Sequence, residues 1–172
     1  MNYKPVVIEK NEELAQAFLA NRCDAITSDS SQLAAIRASF ARNPDDYVIL
    51  PEIISKEPLG PAVRHGDDQW FDLVKWSLFA MIDAEEKGIT SQNVDTFKNS
   101  PDPEIKRILG ITPGQGKPMG VDDRWAYNII KQVGNYGESF ERNVGKASKL
   151  KLDRGLNALW KNGGLMYGMP IR

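Results

Sequence analysis

The stretch CDAITSDSSQL, residues 23–33, decides how the chain is read. Ala25, Ile26 and Thr27 alternate as a short strand would. Asp29 then stops the run, and Ser30 and Ser31 open a new apolar period with Leu33, Ile36, Arg37 and Phe40 at helical spacing. The local reading is strand, turn, helix. Asp29 then has two possible roles. It can cap the helix by accepting from free backbone amides, or it can face a ligand cation at the end of the strand. Ser30 and Ser31 are equally able to cap, which frees Asp29 for a ligand.

Working outward, YKPVVIEK (residues 3–10) and DDYVILPEIIS (residues 45–55) are β-branched segments that read as two further strands. NEELAQAFLANR (residues 11–22) lies between the first two strands and reads as a helix. Asn11 is its expected cap, Glu12 and Glu13 suit its first turn, and Leu14, Ala17 and Phe18 form its apolar stripe. The order βαβαβ predicts a parallel sheet with right-handed crossovers. Ligands of such sheets sit beyond the C-terminal ends of the strands. Asp29 is at such an end, with Thr27 and Ser28 leading into it.

Beyond residue 57 the pattern changes. KEPLGPAVRHGDD (residues 56–68) reads as an extended linker. DDQWFDLVKWSLFAMIDAEEKG (residues 67–88) is the clearest helix, with Asp67 as cap, Gly88 as stop and a core stripe of Trp70, Val74, Leu78, Met81 and Ile82. DPEIKRILG reads as a short helix ending at Gly110, and TPGQGKPMG as a loop. Residues 122–145 read as a long helix interrupted at Gly134 or Gly137. The close, RGLNALWKNGGLMYGMPIR, is glycine-rich and irregular.

Composition excludes several functions. With 22 basic and 23 acidic residues and a net charge of -1, no basic footprint for nucleic acid exists. The strongest apolar run, residues 76–82, is too short to span a bilayer. No basic stretch with an apolar core opens the chain, so no signal peptide is expected in it. Cys23 is the single cysteine, which rules out an internal disulfide and a cysteine-built metal site.

Catalytic motifs fail on detail. His65 lies beside Gly66 and Asp67 with no nucleophile pattern nearby. GQGKPMG lacks phosphate-loop spacing, with Pro118 after Lys117 where Ser or Thr is needed. The pairs Asp45-Asp46, Asp67-Asp68 and Asp122-Asp123 read as caps and turns, not as metal ligands. Trp70, Trp76, Trp125 and Trp160 read as core residues without the basic interleaving of a base-stacking platform. No catalytic residue, metal ligand or cofactor is expected.

Three long collinear stretches carry a resemblance: residues 9–37, 45–90 and 124–145. Together with the closing segment they resemble the general L-amino-acid-binding proteins of polar amino-acid ABC transporters, which are bacterial extracellular solute-binding proteins of family 3. The resemblance covers essentially the whole chain but only the C-terminal half of the family. It implies an α/β, type II periplasmic-binding-protein-like fold, here incomplete. Residues 1–57 would end the second, ligand-binding lobe. Residues 58–172 would hold the hinge crossover, the segment returning to the first lobe and the C-terminal helices.

The implied function is capture of free L-amino acids by lobe closure, in the periplasm and in partnership with membrane permease subunits. The family's Asp-Ala-x-x-x-Asp motif falls on Asp24 to Asp29, and it implies that Asp29 holds the ligand ammonium, with Thr27 and Ser28 contributing. The resemblance also implies that the loop gripping the ligand carboxylate belongs to the absent part, along with a disulfide partner for Cys23. Weak or no binding by this chain alone is the expectation. Two alternatives stand beside this reading: an inactive remnant of a split or truncated gene, and an enzyme on the same architecture.

Overall fold

The computed structural model describes residues 3–172. Among the described residues six α-helices carry the architecture: α1 (Asn11–Leu19), α2 (Ser30–Ser39), α3 (Asp68–Glu86), α4 (Pro103–Ile108), α5 (Trp125–Val133) and α6 (Tyr136–Asn143). Short 3₁₀ turns link the later ones.

α3 begins and ends as its sequence dictates. The Asp67 side chain accepts from the Trp70 amide at 3.1 Å, satisfying a first-turn donor that the helix cannot. At the other end Gly88 takes φ +70, a conformation glycine reaches without side-chain strain. The Gly88 amide then reaches the Glu85 carbonyl at 3.1 Å and the Ile89 amide the Ala84 carbonyl at 2.8 Å. This paired closure satisfies the last carbonyls and drives Ile89, 0% exposed, into the core. α4 repeats the device on a smaller scale. Asp102 caps the Glu104 amide at 2.8 Å, and the chain turns out at Gly110.

The interruption expected at Gly134 or Gly137 falls at Gly134, whose φ of +94 ends α5. Asn135 restarts the chain as α6 through a capping box. Its side chain accepts from the Glu138 amide at 2.9 Å, while Glu138 accepts from the Asn135 amide at 2.8 Å. The same two side chains reach the turn after α3. Asn135 Nδ2 donates to the Ile89 carbonyl at 2.8 Å. Glu138 accepts from the Ser91 amide at 3.0 Å and from its hydroxyl at 2.6 Å. Burial alone would raise the Glu138 carboxyl, but the donors from Ser91 and Asn135, with the charge of Arg142, hold it below its ordinary range.

The main core draws on residues 80–171. Ala80, Ile89, Val94, Ile130 and Ile171 are among its members, with Trp76, Phe97 and Ile129 packed against it. A separate small set, Ala15, Ala17, Ala34 and Ile36, is buried on α1 and α2.

Several expectations meet corrections. The parallel sheet is not formed: among the described residues no strand appears, and residues 5–9, 24–27 and 47–50 carry no strand pairing. Val7 is 93% exposed, Val48 79% and Ile54 80%. A β-branched residue fits a pleated, half-buried surface. That surface needs neighbouring strands, which these segments do not find. Asn11 does not cap α1, which opens from Lys10 with no side-chain cap. The α3 stripe is partly open, with Trp70 51% exposed, and Trp160 is 51% exposed as well. Only Trp76 and Trp125 of the four tryptophans pack into the core as expected.

The uncovered surface is large. It amounts to 12211 Å², against about 8,400 Å² expected for a compact monomer of 19.2 kDa. Large apolar side chains contribute to it: Val7, Ile54, Leu59, Trp70 and Phe71 are all open to solvent.

Two outcomes follow. In sedimentation velocity the chain alone is expected to run as associated species above its 19.2 kDa mass, and a single ideal monomer would contradict this. Asn135→Ala is expected to lower the stability of the helical core by about 2 kcal/mol, because a cap and a buried hydrogen bond to Ile89 go together. Chemical denaturation followed at Trp125 reads this directly, and a change within about 0.5 kcal/mol would contradict it.

Candidate functional site

Asp29 occupies the cap position of α2, with φ -55 and ψ 141, yet its side chain makes no capping hydrogen bond. No other hydrogen bond or ion pair to its carboxylate occurs among the described residues, and it is half-buried. Ser30 and Ser31, which could have capped, instead form the first turn of the helix. The Ser28 hydroxyl donates to Gln32 Oε1, one turn on. Gln32 was missed by sequence reasoning, because Ser28 lies before the cap and no helical spacing links the two. Thr27 is exposed beside them. The three residues singled out are thus consecutive at one helix start, and their carboxylate is uncommitted. Such a group can accept charge-assisted hydrogen bonds from an ammonium.

The other candidates resolve as structural. The amides of the glycine-rich loop are occupied from within: Asp123 accepts from Gly116 N at 2.8 Å and Gly114 N at 3.0 Å. These bonds, Gly116 first, hold the Asp123 carboxyl below its ordinary range. A phosphate would have to displace that carboxylate. Gly116 itself admits no side chain, since a Cβ would approach the Asp122 carbonyl group at 2.5 Å. Asp122 accepts from the Arg124 amide at 2.8 Å and Asp46 from Asn43 Nδ2 at 2.8 Å, so at least one member of each aspartate pair serves a turn or cap. No cluster of His, Cys, Asp and Glu suited to a metal ion occurs among the described residues. His65 lies in an exposed turn with Arg64, Gly66 and Asp67. Cys23 is a free, partly exposed thiol. No helix among the described residues is long and apolar enough to cross a membrane.

Loop opening gives a direct check on this assignment. Asp123→Ala is expected to leave the α3–α5 core folded while the amides of Gly114 and Gly116 lose at least about tenfold protection, the equivalent of about 1.4 kcal/mol. Unchanged exchange at both amides would contradict it.

No family model matches the chain. The general L-amino acid-binding periplasmic protein of Rhizobium johnstonii is 56% identical over 174 residues, taking in 100% of this chain and 51% of that protein. The glutamate/glutamine/aspartate/asparagine-binding protein of Rhodobacter capsulatus is 51% identical over 173 residues, again across 100% of this chain and 51% of that protein. Among solved structures, an ABC transporter/periplasmic binding protein from Brucella ovis with glutathione bound superposes with a TM-score of 0.91 at 54% identity. It takes in 100% of this chain and 54% of the other. The chain spans about half the length of the relatives it matches. It is therefore similar, over its whole length, to amino-acid-binding proteins of ABC transporters, and it shares about half of a periplasmic-binding-protein-like fold.

Proposed function

We propose that the chain is the C-terminal half of an amino-acid receptor for an ABC importer, and that Asp29 holds the α-ammonium of the ligand. The observation that carries this is the uncommitted Asp29 carboxylate at the start of α2, in a chain so close in sequence to amino-acid-binding proteins. Thr27 and Ser28 lead into it and supply hydroxyls. Ser28 is held by Gln32, which orients that end of the site. The mechanism is capture by closure of two lobes, with no bond made or broken.

On this reading residues 1–57 end the ligand-binding lobe and residues 58–172 return to the other lobe. The drawing of the main core from residues 80–171 alone supports that division. The three β-branched segments become parallel strands once the rest of the sheet is supplied, which accounts for their exposed apolar side chains. The complementary half brings the groups for the ligand carboxylate and a partner for Cys23. The receptor works in the periplasm and delivers to membrane permease subunits. Glutathione in the Brucella ovis neighbour fits the same chemistry, since its γ-glutamyl end carries a free ammonium and carboxylate like an amino acid.

The test is calorimetric titration of L-amino acids and glutathione into this chain, alone and mixed with the other half of the Rhizobium johnstonii relative. Binding is expected only in the mixture. Asp29→Asn is expected to weaken it by roughly thirtyfold, about 2 kcal/mol for a hydrogen bond to a charged group. Tight binding by the isolated chain, or an unaffected Asp29→Asn mixture, would contradict the reading.

A further inference from the structure

The last residues form a strap across the C-terminal turns of α3. Arg154 anchors its start, pairing with Glu85 at 3.0 Å and lying over the Phe140 ring at 5.1 Å. Trp160 Nε1 donates to the Glu86 carboxylate at 3.2 Å, and Lys161 Nζ to the Glu86 carbonyl at 2.6 Å. Near the end, Arg107 Nε of α4 donates to the Ile171 carbonyl at 2.8 Å.

Between these anchors the strap crosses Asp83. This side chain is 9% exposed. Among the described residues no hydrogen bond or ion pair reaches its carboxyl. The backbone of Gly168 lies directly on it, so close that a Cβ there would come within 2.0 Å of Asp83 Oδ1. The charged groups facing Asp83 are Glu86 and Lys87 of α3 and Glu104 of α4. Lys87 is already engaged by Glu104 and Asp102. The strap brings to this point the uncharged backbone of Gly168. An ionised carboxylate here has two like charges beside it, a committed cation and no donor.

We propose that Asp83 is a proton-operated latch for the C-terminal strap: the neutral carboxyl lets Gly168 seat on α3, and ionisation lifts the strap. Burial first, then the charges of Glu86 and Glu104 against the opposing Lys87, push the carboxyl up to about 7. A raised value means that the closed strap binds the proton more tightly than the open one. Closure is therefore favoured at low pH and weakens as pH rises through about 7. The latch does not depend on what the protein binds.

Hydrogen exchange of the full chain tests it, with protection factors corrected for intrinsic rate. Between about pH 5.5 and about pH 8.5, strap protection is expected to fall by about 3-fold to 30-fold, with α5 changing less than about twofold. Asp83→Asn is expected to abolish the fall. Gly168→Ala is expected to leave the strap open at both values. A second readout needs no variant: the Trp160 indole N–H resonance should shift with a midpoint near the Asp83 value of about 7. An equal fall in Asp83→Asn, no fall in the native chain, a strap unprotected throughout, or a Trp160 resonance flat across this range would overturn the proposal.

Discussion

The hydrogen-bonded clamp of Asn135 and Glu138 on the turn after α3 ties the helices of the main core together. Two side chains close the N-terminus of α6 and at the same time satisfy the backbone at Ile89 and Ser91. Neither task is separable from the other. The break at Gly134 lets α6 leave the line of α5, and the clamp fixes where it goes. Ile89, the residue whose carbonyl is bound, is itself fully buried. A local backbone rule thereby becomes a tertiary constraint, and both α5 and α6 pack against α3.

The rest of the chain is defined by what it lacks. α3 carries Trp70, Phe71, Leu73, Val74, Trp76, Leu78 and Phe79 around most of its circumference, with Trp70 and Phe71 half-exposed. A helix apolar on nearly every side belongs inside a larger protein. The β-branched segments tell the same story in another geometry, since a parallel strand is satisfied by neighbours on both edges. The chain spans about half the length of the relatives it matches, and the proposed receptor supplies a second half for these surfaces to pack on.

Much of this was legible in the sequence, and the misses have causes. Asp67 and Gly88 mark α3 because capping and left-handed termination are local, needing only a few residues. The α5–α6 break was legible to within a choice of two glycines, and the Asn135–Glu138 spacing explains why Gly134 won. The expected strands do not pair among the described residues, because periodicity reports what a segment can pair with and not whether the partner is present. Trp70 and Trp160 were assigned to the core on the same reasoning. At the site, sequence offered cap or ligand for Asp29, and the structure leaves its carboxylate without a cap bond. Asp83 gave no signal, because a single acid within an apolar helix period looks like a surface position until the strap is seen over it.

The central claim is that the segments at residues 5–9, 24–27 and 47–50 pair as strands once a complementary half is supplied. Residue-resolved solution NMR of this chain, with and without the other half of the Rhizobium johnstonii relative, tests it most directly. Cross-strand contacts at Val7, Ile26 and Val48 should appear only in the mixture. The same contacts in the isolated chain, or their absence from a mixture that forms a stable complex, would contradict the account.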